Sequence, residues 1–428
     1  MRIRKKWMAL ATAAVLALSI CGCAEEEKPT FTGETTEEAE YQNCLNAISP
    51  AAYRSVQNLA LEPGTYISII GKSESTSYWK MVEQGVLQAA EDLNAALGYT
   101  GEDKIKVTYN APETEEDIDE QVNILDEELS RYPDVVGIAS VDEDACAVQF
   151  DLAAANGIPV ISLDSGNTYK GILCTVKTDN TDAARTGAYK LADEVQEGNI
   201  ILLVHDSESE SAREREESFL NQMEDEAGVE VAEIIYCDDL QTLKKKIVEE
   251  QKAAQEAVDE DTDAEASDNE NSEDDVLSTN SSDAEESKDN ADVNNTEEED
   301  IVELYTSAEE ISDEQAIQYY IEKHNAKGVF ATNTIATQLG LKAIENCENA
   351  EEIVLMGFDA GKDQLDALRD GKISGLVVQN PFGIGYASVI AAARTVLEIG
   401  NEAIVDTGYT WVTQNNIEEE AIQRMLYE

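Results

Sequence analysis

Positive charge is what this chain has least of. Thirty Lys and Arg stand against 90 Asp and Glu, a formal net charge of −60 over 428 residues. Such a surface repels phosphate backbones and anionic headgroups, which excludes nucleic acid and acidic lipid as direct partners. Histidine is almost missing, with only His205 and His324. Neither belongs to an H-E-x-x-H, and no G-x-S-x-G elbow or phosphate loop accompanies them. The sequence therefore reads as non-enzymatic, with no metal and no cofactor. Beyond Cys23 the cysteines are Cys44, Cys146, Cys174, Cys237 and Cys347. They are far apart, odd in number and without C-x-x-C spacing, so a zinc site or disulfide framework is excluded and small buried hydrophobes remain. Long apolar runs are also absent, apart from Met8 to Ile20, which is too short to span a bilayer.

That run marks an address. It follows the basic stretch MRIRKKW and ends in Ile20-Cys21-Gly22-Cys23. A basic start, a short apolar run and small residues at the cut make an export signal. Ile20-x-Gly22-Cys23 resembles a bacterial lipoprotein box with Cys23 as the lipidated residue, because a cut before Cys21 would place bulky Ile20 at its edge. Stable anchoring then takes two or three acyl chains. Residues 1–23 are thus the leader. Residues 24–65 read as a polar tether followed by an N-terminal helix over 41–59, broken near Pro50.

From Tyr66 the pattern alternates. Apolar strands are expected at 66–70, 105–109, 135–139 and 159–163, separated by helices. One of these, from Tyr78 to Leu97, carries a stripe of Val82, Val86, Ala90, Leu93 and Leu97. The alternation resumes with strands at 200–204, 231–236, 328–331 and 409–412. Strands apolar on both faces imply parallel sheets covered by helices, and this many strands fit two α/β lobes better than one sheet. The densest stretch is Ile353 to Tyr386. There one apolar strand ends at Gly357-Phe358-Asp359, a short helix carries Leu365 and Leu368, and a second strand ends at Gln379-Asn380-Pro381. Asp359 and Gln379 then sit past the carboxyl ends of neighbouring parallel strands, where open α/β sheets bind ligands.

Residues 251–300 differ from their surroundings, with 20 Asp and Glu against two Lys and no aromatic residue. Such a segment buries too little to offset its ordering entropy, so 251–304 is expected to be a disordered acidic insert in the second lobe.

Five segments then appear in a familiar order: Ile158 to Asp164, Ser211-Ala212-Arg213-Glu214-Arg215, Gly328 to Asn333, Gly357-Phe358-Asp359 and Val377-Val378-Gln379. With them the chain resembles the periplasmic sugar-binding proteins of the ribose-binding type, the receptors of ABC importers. The resemblance implies two Rossmann-like lobes joined by a multi-strand hinge, 66–178 with 380–404 and 179–379 with 405–428, closing as a monomer over a small ligand. It assigns Tyr78 and Trp79 to the sugar's apolar face, Asp164 to a pair of hydroxyls and Arg215 to ligand oxygens. Asn333, Asp359 and Gln379 complete the polar ring, while Arg213 is left to a structural ion pair. Read from the residues alone, Tyr78 and Trp79 equally begin a helix core, Asp164 equally makes a turn before Gly166, and Asn333 is equally a turn residue.

The chain also departs from the pattern. Ser165 stands where relatives often have Arg, Cys237-Asp238-Asp239 where an aromatic is common, and Lys72 where a small polar residue is usual. Lys72 with Arg215 is compatible with an acidic ligand. A repressor of similar shape would need a basic helix-turn-helix in place of the leader. The resemblance implies delivery of a sugar-like ligand to an ABC transporter permease, the alternative being a receptor that feeds a membrane histidine kinase or chemoreceptor.

Overall fold

The structure, a computed structural model, describes residues 39–115, 117–268 and 305–427. The leader with Cys23, the tether as far as residue 38 and the acidic segment 269–304 lie outside the described residues.

The strands sort into two six-stranded sheets. The first has the order β11 (Ile404–Asp406), β5 (Ile172–Lys177), β4 (Val160–Leu163), β3 (Val135–Ile138), β1 (Tyr66–Ile70) and β2 (Lys106–Asn110), all parallel. The second has the order β12 (Tyr409–Val412), β10 (Gly375–Gln379), β9 (Val354–Phe358), β8 (Gly328–Ala331), β6 (Gly198–Val204) and β7 (Val229–Tyr236). Only β12 is antiparallel to its neighbour. Strands β1, β3, β4, β8 and β10 are buried along their whole length, as sheets covered on both faces require.

Helices α2 (Ser77–Leu97), α3 (Ile118–Ser130), α4 (Ala147–Ala155) and α11 (Pro381–Val396) gather on the first sheet. On the second lie α5 (Asn180–Val195), α6 (Glu210–Glu224), α7 (Leu240–Asp268), α8 (Asp313–Lys323), α9 (Thr334–Glu345) and α10 (Lys362–Arg369). Helix α2 is opened by Thr76, which accepts from the Trp79 N–H, and closed by Gly98 at φ +71°. Its buried stripe of Val82, Val86, Ala89 and Leu93 packs inward. It crosses α11 backbone to backbone, since a Cβ on Gly85 would lie 2.1 Å from the Phe382 carbonyl and one on Gly385 2.0 Å from that of Val82.

The chain passes between lobes at Lys177–Asn180, Gln379–Pro381 and Asp406–Tyr409. The three crossings are tied together. Thr407 N–H donates to the Lys177 carbonyl (3.0 Å), Asn380 Nδ2 to the Thr407 carbonyl (2.8 Å) and Thr178 Oγ1 to Gln379 Oε1 (3.0 Å).

Three expectations change. Strands β5 and β11 were not anticipated, and β11 places 404–406 in the first lobe, so the last crossing follows Asp406 instead of falling at 404/405. Three residues are too few to show a period. Second, the expected helix over 41–59 is only α1 (Gln42–Ala47). The chain then exchanges hydrogen bonds between Ser49 and Asp406 (2.7 and 3.0 Å), makes a 3-10 turn at Ala51–Tyr53, and stacks Tyr41 on Phe382 at 5.1 Å. Residues 41–53 are therefore part of the first lobe's wall. Third, α7 runs on to Asp268, well into the segment expected to be disordered. Its start is held by buried Leu240, Lys244, Ile247 and Gln251 at helical spacing. Beyond them Lys-Ala-Ala-Gln-Glu-Ala has high helix propensity and neither Gly nor Pro, which the charge count alone does not register.

Candidate functional site

The carboxyl ends of strands from both sheets face one cavity. Lys72 stands two residues beyond β1, and Asp164, His205 and Asp359 follow β4, β6 and β9 directly. Asn333 lies beyond β8, and Gln379 is the last residue of β10. Tyr78 and Trp79 come from the first turn of α2, and Ser211 and Arg215 from α6. Together with the open solvent at its mouth the space amounts to about 370 Å³, and it adjoins a wider, solvent-open vestibule that shares Lys72, Glu115, His205 and Asn333 with it. The residues expected from the sequence, Tyr78, Trp79, Asp164, Arg215, Asn333, Asp359 and Gln379, all line the inner cavity.

They are not equally available to a ligand. Asp359 Oδ1 accepts from Gln379 Nε2 (2.7 Å) and the Tyr427 hydroxyl (3.1 Å), and its Oδ2 from the Thr334 N–H (2.9 Å) and Oγ1 (3.0 Å). A carboxylate offers about four lone-pair positions, so Asp359 is saturated from within. Burial pushes its pKa up against the pull of Arg215 and these donors. Gln379 is nearly used up as well, accepting from Thr178 and from Arg215 Nη2 at 2.8 Å. The Asn333 carbonyl caps α9 by accepting from the Ala336 N–H at 2.8 Å, leaving its Nδ2.

Arg215 and Asp164 retain capacity. The Arg215 guanidinium is 3% exposed and lies 4.3 Å from the Phe358 ring centroid. It donates through Nε to Asn180 Oδ1 (2.9 Å), through Nη1 to the Thr332 carbonyl (2.6 Å) and through Nη2 to Gln379. Of its five N–H groups two remain. Asp164 accepts from the Tyr78 hydroxyl on Oδ1, leaving Oδ2 to the cavity. Both aspartates hold left-handed backbone, at φ +58° for Asp164 and +77° for Asp359, a conformation Asp tolerates better than most residues and one that concentrates at functional sites. Tyr78 packs edge-on against Trp79 (5.3 Å) and Tyr427 (5.8 Å), and Trp79 Nε1 donates to Glu115 at 3.0 Å. These two rings begin the helix core and line the cavity at once.

The clamp is closed. Ser165 Oγ of the first lobe lies 2.8 Å from Ser211 Oγ of the second. Lys177 bridges to Glu210 (3.2 Å) and Glu214 (2.6 Å), and Arg213 pairs with Glu143 at the rim. Arg213 thus links the lobes without lining the inner cavity.

The sequence does not by itself place Glu115, His205, Ser211, Thr334 or Tyr427 here, and it gives Lys72 as a departure from the pattern that, with Arg215, is compatible with an acidic ligand. Lys72 and His205 carried a usable signal, since each closely follows an apolar strand. Glu115 sits in an irregular loop and Tyr427 far along the chain, so no local pattern marks them. Burial pushes the His205 pKa well down, against Asp206 and with help from Arg215 and Lys72, so its ring is neutral. Its Nδ1 lies 2.7 Å from Thr332 Oγ1.

Burial, outweighing Lys72 and reinforced by Asp164 and Asp359, raises the Glu115 carboxyl to about 7. A carboxyl whose folded pKa exceeds its unfolded value destabilises the fold as pH rises between the two. The cost is absent below about pH 4.5 and complete above about 7, on the order of 3 kcal/mol. Glu115→Gln keeps an acceptor for Trp79 and removes that cost. Its melting temperature is expected to exceed the parent's at pH 8, with the gap closing by pH 4.5. A constant gap across this range would contradict the assignment.

Comparison with known proteins bears on the whole architecture. The profile of the periplasmic binding protein domain matches residues 67–271 and 279–402. A carbohydrate transporter solute-binding protein from Agrobacterium radiobacter, solved with D-arabinose, is 23% identical with a TM-score of 0.61, covering 85% of this chain and 99% of its own. An ABC transporter solute-binding protein from Agrobacterium vitis with bound D-fucose is 20% identical with a TM-score of 0.60, covering 85% and 100%. A glucose-galactose binding protein from Geobacillus stearothermophilus is 16% identical with a TM-score of 0.61, covering 83% and 99%. At these identities the structural likeness speaks for the fold. A comparison with curated protein sequences gives no match. The profile match over most of the chain, together with two parallel-dominated sheets closing on one cavity, establishes that this chain belongs to the periplasmic binding proteins, with the type 1 fold, which are carriers and not enzymes.

Proposed function

We propose that this protein is an extracytoplasmic, lipid-anchored receptor that closes over a monosaccharide or sugar derivative and delivers it to an ABC importer. One observation carries the reading. Asp164, Arg215 and Asn333, from both lobes, present unused acceptors and donors to one small cavity edged by Tyr78 and Trp79. A carboxylate accepting from adjacent hydroxyls, a guanidinium donating to ring oxygens and an aromatic edge against C–H groups are the chemistry of a sugar ring. The sugars held by the solved relatives support the same class. Asp359 and Gln379 serve by holding Arg215 and the start of α9 in place. The test is a thermal-shift screen of neutral and acidic monosaccharides. At least one is expected to raise the melting temperature by several degrees, and a flat screen with folded protein would overturn the reading.

The anchor rests on Ile20-Cys21-Gly22-Cys23. Cys23→Ala is expected to move the protein from the membrane fraction to the washed soluble fraction. Retention of the variant in the membrane would contradict lipidation at that residue.

A further inference from the structure

The inner cavity holds one cation that nothing answers. Lys72 is 5% exposed, lines both the cavity and its vestibule, and makes no hydrogen bond or ion pair among the described residues. It is not a swinging surface lysine. The Gly71 N–H before it donates to the Asn110 carbonyl (2.9 Å), and the Gly71 carbonyl accepts from Gln121 Nε2 (2.9 Å). Ser73 after it donates to the Glu113 carbonyl at 3.0 Å. The backbone is therefore fixed on both sides of a side chain that reaches into the cleft.

A buried ammonium is costly unless paired with an opposite charge and hydrogen-bonded. The cavity's own carboxylates do not supply that pairing. Asp359 is saturated, and neither Asp164, bonded to Tyr78, nor Glu115, bonded to Trp79, lies within ion-pair distance of the ammonium. Glu115 and Asp206 sense Lys72 only at longer range. Arg215, the other cation of the cavity, likewise has no carboxylate within ion-pair distance among the described residues, its bonds going to neutral oxygens. The cleft thus presents sugar-binding groups beside cationic groups that lack a touching anion.

We propose that Lys72 receives the carboxylate of a sugar acid, whose ring hydroxyls are held by Asp164, Arg215 and Asn333. This rests on the reading of the cleft as a monosaccharide site and names the class of monosaccharide. One carboxylate fits better than a phosphate. A phosphate dianion would face the charge of Asp164 and Asp359 in the same cavity, and a single ammonium answers one negative charge.

The test is calorimetry on the full chain with matched pairs, glucose and glucuronate, and galactose and galacturonate, with glucose 6-phosphate as a further arm. In the best pair, the acid is expected to bind at least about tenfold tighter than its neutral parent. Lys72→Met, and Lys72→Gln as a second variant, are expected to erase that ratio, with folding checked by thermal unfolding. A neutral sugar that binds as tightly as its acid would overturn the proposal. So would a ratio that survives both substitutions, or a preference for the phosphate, and each would leave the monosaccharide reading standing. If folded protein binds no sugar of either kind, the monosaccharide reading falls, and this one with it.

Discussion

Arg215→Ala is expected to weaken ligand binding by roughly a hundredfold, from the loss of about 3 kcal/mol of charge-assisted hydrogen bonding. The effect should not stop at the ligand. Arg215 is the common partner of Asn180, the Thr332 carbonyl and Gln379, and it stacks on Phe358. Alanine leaves the Asn180 Oδ1 and Thr332 carbonyl acceptors buried and unpaired and takes one of two donors from Gln379, so the melting temperature of the unliganded protein should fall as well. Arg215→Lys separates the two roles, because an ammonium restores the charge but not the three-way fork. It is expected to recover part of the stability and little of the affinity. Arg213→Ala is the control. Its partner Glu143 lies at the rim and the Arg213 side chain is half exposed, so its loss should change affinity by no more than a few fold. A larger effect at Arg213 than at Arg215 would reverse the assignment of the two.

A second large effect is expected from locking the lobes. Ser165 and Ser211 meet across the cleft with their hydroxyls 2.8 Å apart, and both are buried. In a Cys237→Ser background, Ser165→Cys with Ser211→Cys should oxidise to a cross-link that holds the clamp shut. Burial raises the thiols of Cys44 to about 11 and of Cys146, Cys174 and Cys347 to about 12, so they are poor competitors in the oxidation. A ligand that enters only through the open state then finds almost none of it. Association with the oxidised, empty protein is expected to slow by at least about a hundredfold and to recover on adding reductant. Equal association rates for oxidised and reduced protein, measured by stopped flow, would show that the ligand enters without the lobes parting.

How much of this was legible in the sequence depends on how local each signal is. The β-α alternation, the apolar strands and the positions of Asp164, Asp359 and Gln379 at strand ends are properties of neighbouring residues, and the structure places them where the pattern did. The strand β11 is three residues long, and its membership in the first sheet depends on pairing with β5, far away in the chain. The division of labour in the cavity is likewise non-local. That Asp359 has no lone pair to spare depends on Tyr427 and Thr334, and that the Asn333 side-chain carbonyl is engaged as a helix cap depends on where α9 begins. Residue type suggested which side chains meet, but not which of them are already satisfied. Lys72 shows the converse, since its place after β1 was visible while its want of a touching partner appears only once the cleft is assembled.

In the proposed function a monosaccharide sits between the lobes in contact with Asp164 and Arg215. The most direct measurement is a crystal structure of the protein with the sugar that gives the largest thermal shift. The ring is expected in the inner cavity, with hydroxyls on Asp164 Oδ2, ring or hydroxyl oxygens on the two unassigned N–H groups of Arg215, and an apolar face toward Trp79. A sugar bound in the outer vestibule or on the surface, with Asp164 and Arg215 still facing only protein, would contradict it.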